Sequence, residues 1–246
     1  MPDPAHHGGW GEDDSAVFID YGRAFTPDRE RQQEILVELI AALAPAPHSV
    51  VDLCCGDGDL ARLLLERLPE IRLRAFDGSP RMLATAREAC AAYADRLELT
   101  AFDLAATDWR MLQPAPDAIC SSLAVHHLEG DQKRELFADL FAALRPGGVF
   151  VLADLVRPAS PAGWRVAAED WDRAVAARSR ELYGDDRAWR TFEELRWNYF
   201  RWPDDDGIDD PSTVAEHVLW LTAAGFASVD LHWLLAGHAI LSARKP

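Results

Sequence analysis

The chain has 246 residues, 49% hydrophobic and 27% charged, which is ordinary globular composition and enough for one sizeable core. Its 41 acidic residues against 25 basic ones give a formal net charge of −16. That excess disfavours nucleic acid as a partner, because sequence-independent affinity for phosphate backbones comes from Lys and Arg. The start, Met1 to Trp10, is polar and lacks an apolar signal segment, and no stretch approaches the roughly 20 apolar residues of a membrane span. A cytoplasmic location without membrane contact is expected.

Residues 1–25 read as a mobile segment. Thr26-Pro27 predicts an N-cap and first helical residue, with Ile35, Leu36, Leu39, Ile40 and Leu43 at helical spacing behind it. Alternation follows: strand Ser49–Cys54, helix Leu60–Leu68, strand Ile71–Phe76, helix from Pro80 to about Tyr93, and strand Leu97–Phe102. Strand Ala118–Ser122, helix Asp131–Leu144 and strand Val149–Ala153 complete the run. Such alternation predicts right-handed crossovers and a mainly parallel sheet covered on both faces.

The rhythm breaks at Leu155. Residues 155–211 are aromatic and charged, read as helical pieces, and end in the acidic run Asp204–Asp210. That run lacks the alternating ligands and terminal Glu of a calcium loop, so a solvated loop is expected. Thr213 and Glu216 form a capping box, Gly225 a C-terminal cap, and two strands, Ala227–Trp233 and His238–Ala243, meet at Ala236-Gly237. The domain plan is therefore a core of residues 26–154 and 212–246 with a helical cap, 155–211, inserted after the fifth strand. The four cysteines (Cys54, Cys55, Cys90, Cys120) lack zinc-site spacing and read as buried small side chains. No metal centre is expected, and oligomeric state is left open.

Gly56-Asp57-Gly58-Asp59-Leu60-Ala61 fits G-x-G-x-x-A after the first strand, and Asp77 ends the second strand about 20 residues on. Glycines let a ligand approach the backbone, and the later carboxylate can hold ribose hydroxyls. Both NAD and S-adenosylmethionine fit that much. Charge separates them, since Asp52, Asp57 and Asp59 would repel a pyrophosphate but suit an ammonium and a sulfonium.

Val51-Asp52-Leu53-Cys54-Cys55-Gly56-Asp57-Gly58 resembles the first motif of the class I S-adenosylmethionine-dependent methyltransferase family, with Cys54 where Gly is commoner. Phe76-Asp77-Gly78-Ser79-Pro80-Arg81-Met82-Leu83 resembles the second, Phe102-Asp103-Leu104 the third, and Leu144-Arg145-Pro146-Gly147-Gly148 the turn into the fifth strand. The resemblance implies a doubly wound, Rossmann-like seven-stranded sheet of order 3-2-1-4-5-7-6 with the last strand antiparallel. It implies S-adenosylmethionine as cofactor and S-adenosylhomocysteine as product. Asp77 would take the ribose, with Gly78, Ser79 and Met82 bordering the adenine, and Asp103 with Leu104 would meet the adenine amino group. Ser121, at the end of the fourth strand, would lie at the methionine end.

Open α/β sheets bind ligands at the carboxyl ends of their strands, so the remaining candidates are sought there. His126 and His127 follow the fourth strand and suit a general base, with Asp154 at the end of the fifth strand as another candidate. Asn198 and Trp202 in the cap, and Trp233 and His238 on the last two strands, are candidates for acceptor contact. Arg31, one turn before Ile35, is expected to point inward and, with Tyr21, to meet the cofactor carboxylate. The reading is methyl transfer to an O, N or S atom of a small molecule. The alternatives are a tRNA-modifying enzyme or user of a modified S-adenosylmethionine, and a non-catalytic S-adenosylmethionine-binding module.

Overall fold

In the computed structural model, which describes residues 10–203 and 207–246, seven strands form one sheet of order β3-β2-β1-β4-β5-β7-β6. They are β1 (Ser49–Leu53), β2 (Arg72–Asp77), β3 (Leu97–Ala101), β4 (Ala118–Ser122), β5 (Val149–Leu155), β6 (Ala227–Leu235) and β7 (His238–Arg244). β1 to β5 run parallel, and β7 is antiparallel to both β5 and β6. This is the expected sheet.

Successive strand residues point to opposite faces, so β1 feeds two cores. Val50 packs with Leu36, Ile40, Leu64 and Leu83 from α2 (Arg29–Leu43), α3 (Asp59–Arg67) and α4 (Pro80–Ala89). Its neighbour Val51 packs on the other side with Leu136 and Phe137 of α5 (Gly130–Ala143) and Leu221 of α8 (Val214–Ala224). Central β5 is buried along all seven residues, as a strand covered on both faces must be. The Thr213/Glu216 capping box and the Gly225 cap form as expected.

The expected N-terminal organisation needs correction. Residues 1–9 lie outside the described part, but Glu12–Phe25 is a helix, α1, with Glu12, Asp13 and Asp14 in its first turn where the helix dipole favours acids. Thr26 closes α1, donating its N–H to Gly22 O at 3.0 Å, and Asp28, left-handed at φ 48°, starts α2. Thr26-Pro27 is thus a hinge between two helices instead of a helix start.

The cap consists of α6 (Pro161–Tyr183), α7 (Arg187–Glu194) and the chain that follows them. Its aromatic core joins Trp171, Phe192, Tyr199 and Phe200 to Ala24 and Phe25 of α1. Phe200 also presses on the β6–β7 turn, where a Cβ on Gly237 would lie 2.0 Å from the ring. The cap is held to the core at that corner. Among the described residues no helix is long and apolar enough to cross a membrane.

Candidate active site

The carboxyl edge of the sheet opens onto a cavity of about 650 Å³, roofed by α1 and the cap. After β1 the chain turns through Cys54 (φ 60°), Gly56 (φ 56°) and Gly58 (φ 87°). The left-handed conformation at Cys54 accounts physically for the glycine commoner there. A Cβ at Gly56 would meet nothing within 4 Å, so this wall is open to a ligand. At Gly58 a Cβ would lie 2.7 Å from Ala86 Cα, so that glycine serves the contact between α3 and α4.

Asp77 is fixed from the protein side. Its Oδ2 accepts the Gly56 N–H at 2.8 Å and its Oδ1 the Ser79 N–H at 2.9 Å, and burial pushes its pKa up. Ser79 Oγ in turn caps α4 by accepting from Met82 N at 3.1 Å. Cys54, Gly56, Asp77, Gly78, Ser79, Met82, Asp103 and Leu104 all line the cavity.

Asp52, Asp57, Gly58 and Ser121 do not line it. Asp52 is buried behind the wall beside Cys120 Sγ (3.7 Å). Burial pushes it up to about 7, against the pull of the Cys120 hydrogen bond and of Arg29. Ser121 Oγ donates to Leu53 O at 2.9 Å, and so serves the sheet.

The acids of this turn have an internal partner that the sequence reading missed. Arg29 is buried, lines the cavity, donates to Ser122 Oγ at 2.7 Å and is attracted by Asp57, Asp59 and Asp52, although burial lowers its pKa. Arg29 therefore offsets part of the repulsion that these acids would exert on a pyrophosphate. Arg31, expected to point inward, lies on the outer face of α2 with Glu34 and Glu38. The inward stripe is Arg29, Gln32, Gln33, Leu36, Val37 and Ile40, so Arg31 is out of phase. Tyr21 stacks on Phe25 and meets Tyr183 between α1 and the cap, away from the cavity lining.

The turn after β4 carries a cluster. His126 Nδ1 lies 2.5 Å from Oδ1 of the buried Asp154 at the end of β5. On the other side, His126 Nε2 and His127 Nδ1 lie 3.5 and 2.9 Å from the same oxygen, Asp209 Oδ1. Burial alone would lower His126, but Asp154 and Asp209 outweigh it and hold its pKa above the usual value. Asp209 belongs to the run expected to be a solvated loop, and Asp204–Asp206 lie outside the described residues. Asp209 itself turns inward because Asp210 N donates to His126 O at 2.7 Å and Lys133 Nζ donates to Asp210 O and Ser212 Oγ. Nothing in the local sequence signals that fold-back.

The acceptor-side candidates divide. His238 lines the cavity edge-on to Trp171, with burial pushing it down to about 4. Asn198 instead braces the cap, donating to Ala168 O and Asp172 Oδ1. Trp202 is exposed beneath the Arg196 guanidinium, and Trp233 packs against the core layer under α2 to α4. None of these three reaches the cavity. Trp10, Phe18 and Trp197 do, which sequence spacing alone did not distinguish from ordinary aromatic packing.

A seven-stranded sheet of this order, with its cavity at the motif-bearing carboxyl edge, defines a Rossmann-like methyltransferase fold. Residues 50–148 match the family model described as a methyltransferase domain. A trans-aconitate 2-methyltransferase of Acidovorax sp. (strain JS42) is 37% identical over 165 residues, covering 61% of this chain and 59% of the relative. The chain thus spans about three-fifths of the length of that relative. Among solved structures, an O-methyltransferase family protein from Burkholderia thailandensis superposes with a TM-score of 0.65 at 16% identity, over 95% of this chain and 60% of the other. The N-methyltransferase NodS from Bradyrhizobium japonicum, in complex with S-adenosylhomocysteine, gives 0.57 at 16%, over 94% and 98%. At such identity the likeness is one of fold.

Proposed function

We propose that the protein transfers the methyl group of S-adenosylmethionine to an O, N or S atom of a small molecule. The observation that carries this reading is that one cavity joins the open turn at Gly56 and the pinned Asp77 to the aromatic underside of the cap. The residues present fit the cofactor: the wall at Gly56 is bare, and Asp77 and Asp103 line the cavity where ribose and adenine are expected. Bound S-adenosylmethionine supplies a methyl carbon already activated by its sulfonium.

The protein's share is positioning and exclusion of water. Asp77, Ser79 and Met82 form the cofactor half. Trp171, Trp197 and the pair His126–Asp154 form the acceptor half, with Arg29 between them on the floor. A carboxylate acceptor is the first to assay. It needs no proton removed at neutral pH, Arg29 offers it a buried cation, and the relatives are named for methylating such a compound.

Calorimetry with S-adenosylmethionine, S-adenosylhomocysteine and NAD, followed by radiolabelled methyl transfer to trans-aconitate, other small acids and tRNA, tests the reading. Binding of both adenosyl compounds and label in a small acid is the expected result. Tight NAD binding alone would overturn it. Label only in tRNA, or binding with no transfer to any pool, would favour the nucleic-acid or non-catalytic alternative.

A further inference from the structure

We infer that His126, His127 and Asp209 form a binding site for one divalent transition-metal ion, of the Zn2+ or Co2+ type, on the acceptor side of the cavity. One atom from each side chain lies within 4.8 Å of the others. Two of the separations are 2.9 and 3.5 Å, measured to a single carboxylate oxygen. Donors bound tetrahedrally at zinc distances stand about 3.3 Å apart, so these two separations need shifts of roughly half an ångström, and the third closes by at most about 1.5 Å. Two imidazoles and one carboxylate leave coordination positions open, the arrangement of sites that also bind a small ligand.

Hydrogen bonding alone accounts poorly for this cluster. His127 Nδ1 is buried and close to Asp209, yet has no aligned hydrogen-bond partner. The ring of His126 is already oriented: Asp154 takes its Nδ1, which leaves Nε2 directed to the Asp209 side. A carboxylate behind a ligating histidine fixes ring orientation and raises ligand basicity. Charge agrees as well, since two carboxylates, the buried Asp154 and the half-buried Asp209, face one nearby lysine, Lys133.

The site also has a route from outside. A second groove, bordered by Glu129, Asp131 and Asp210, reaches His127 and Asp209 from the surface, while the main cavity reaches them from within. Acidic walls raise the local concentration of cations. The ion would stand between the two spaces, its open positions turned to the cavity, where a carboxylate or hydroxyl oxygen of the acceptor would complete its coordination and be held for in-line attack. That role toward an acceptor rests on the methyltransferase reading; binding of the ion does not.

The test uses the full chain, stripped by chelator and titrated with Co2+, reading visible absorption and metal content, then displaced with Zn2+. One Co2+ per chain with ligand-field absorption is expected. His127→Ala and Asp209→Asn should each weaken binding at least tenfold, and Asp154→Asn by about 10–100-fold. Thermal melting reports whether each variant is folded, and His127→Gln stands in if the alanine variant is not. No saturable binding by the wild type would overturn the inference, as would equal binding by His127→Ala and Asp209→Asn. Titrating the same samples with S-adenosylhomocysteine separates the two readings. Nucleoside bound without ion removes the metal site alone; ion bound without nucleoside leaves the site and removes the methyltransferase.

Discussion

The indole Nε1–H of Trp171 in the cap donates to the carbonyl of Phe25 at the end of α1, at 2.6 Å. Both residues are buried, and the bond joins two segments that lie outside the matched family region. Trp171→Phe keeps most of the ring but leaves that carbonyl unpaired. A loss of about 1–3 kcal/mol is expected, read as a lower midpoint in urea unfolding.

Arg29 and Arg31 are two residues apart and should behave oppositely. Arg29→Ala leaves the buried Ser122 hydroxyl without its partner and removes the attraction to the acids of the β1 turn, with an expected cost of about 1–3 kcal/mol. Arg31→Ala breaks only exposed pairs with Glu34 and Glu38 and should leave the melting temperature and S-adenosylhomocysteine affinity unchanged. Parallel melts and titrations of the two variants decide it.

Asp117 should make stability fall in acid. Its Oδ2 accepts the N–H groups of His48 and Ser49 at 2.7 and 2.8 Å, and Arg145 pairs with its Oδ1. Burial opposes the charge, but these partners win and hold the pKa below its ordinary value. The stabilisation is therefore complete above the unfolded value of about 3.9 and is lost as pH falls from there through the folded value. Asp117→Asn should lack that component of the decline, in melts from pH 6 down to pH 3.

Cys54→Gly tests the turn itself. A non-glycine residue in this left-handed region costs about 1–2 kcal/mol, while glycine loses about 0.4–1 kcal/mol more chain entropy on folding. The variant should be unchanged in stability or gain up to about 1.6 kcal/mol, measured by urea unfolding. A clear loss would mean that the thiol makes packing contacts worth more than the strain.

What sequence could supply follows periodicity. The parallel strands announce themselves by apolar runs such as Val149–Ala153, and the motif residues fall at strand ends because the turns after them are short. Arg29 is hidden in the sequence because Ile35 phases the apolar stripe of α2 one position off, and Thr26-Pro27 mimics a helix start where the helix begins only after Asp28. Asp209 escaped for a different reason. Its position depends on backbone bonds to His126 and Lys133, more than 70 residues away in sequence, and no local pattern encodes such a contact. Asn198 and Trp202 are polar or aromatic near the end of the cap, a composition that equally serves the cap's own interior and surface.

The ring of Phe200 over Gly237 now bears on selectivity. With that corner wedged beneath an aromatic ring and another tied through Trp171 to α1, the roof is a preformed mould, shaped before any acceptor arrives. A mould selects by rejecting what does not fit, and its binding energy is not spent on ordering its own walls. If the cavity takes a methyl acceptor as proposed, acceptor analogues should be discriminated steeply by bulk, and enlarging the range of compounds accepted would call for carving the roof, not loosening it.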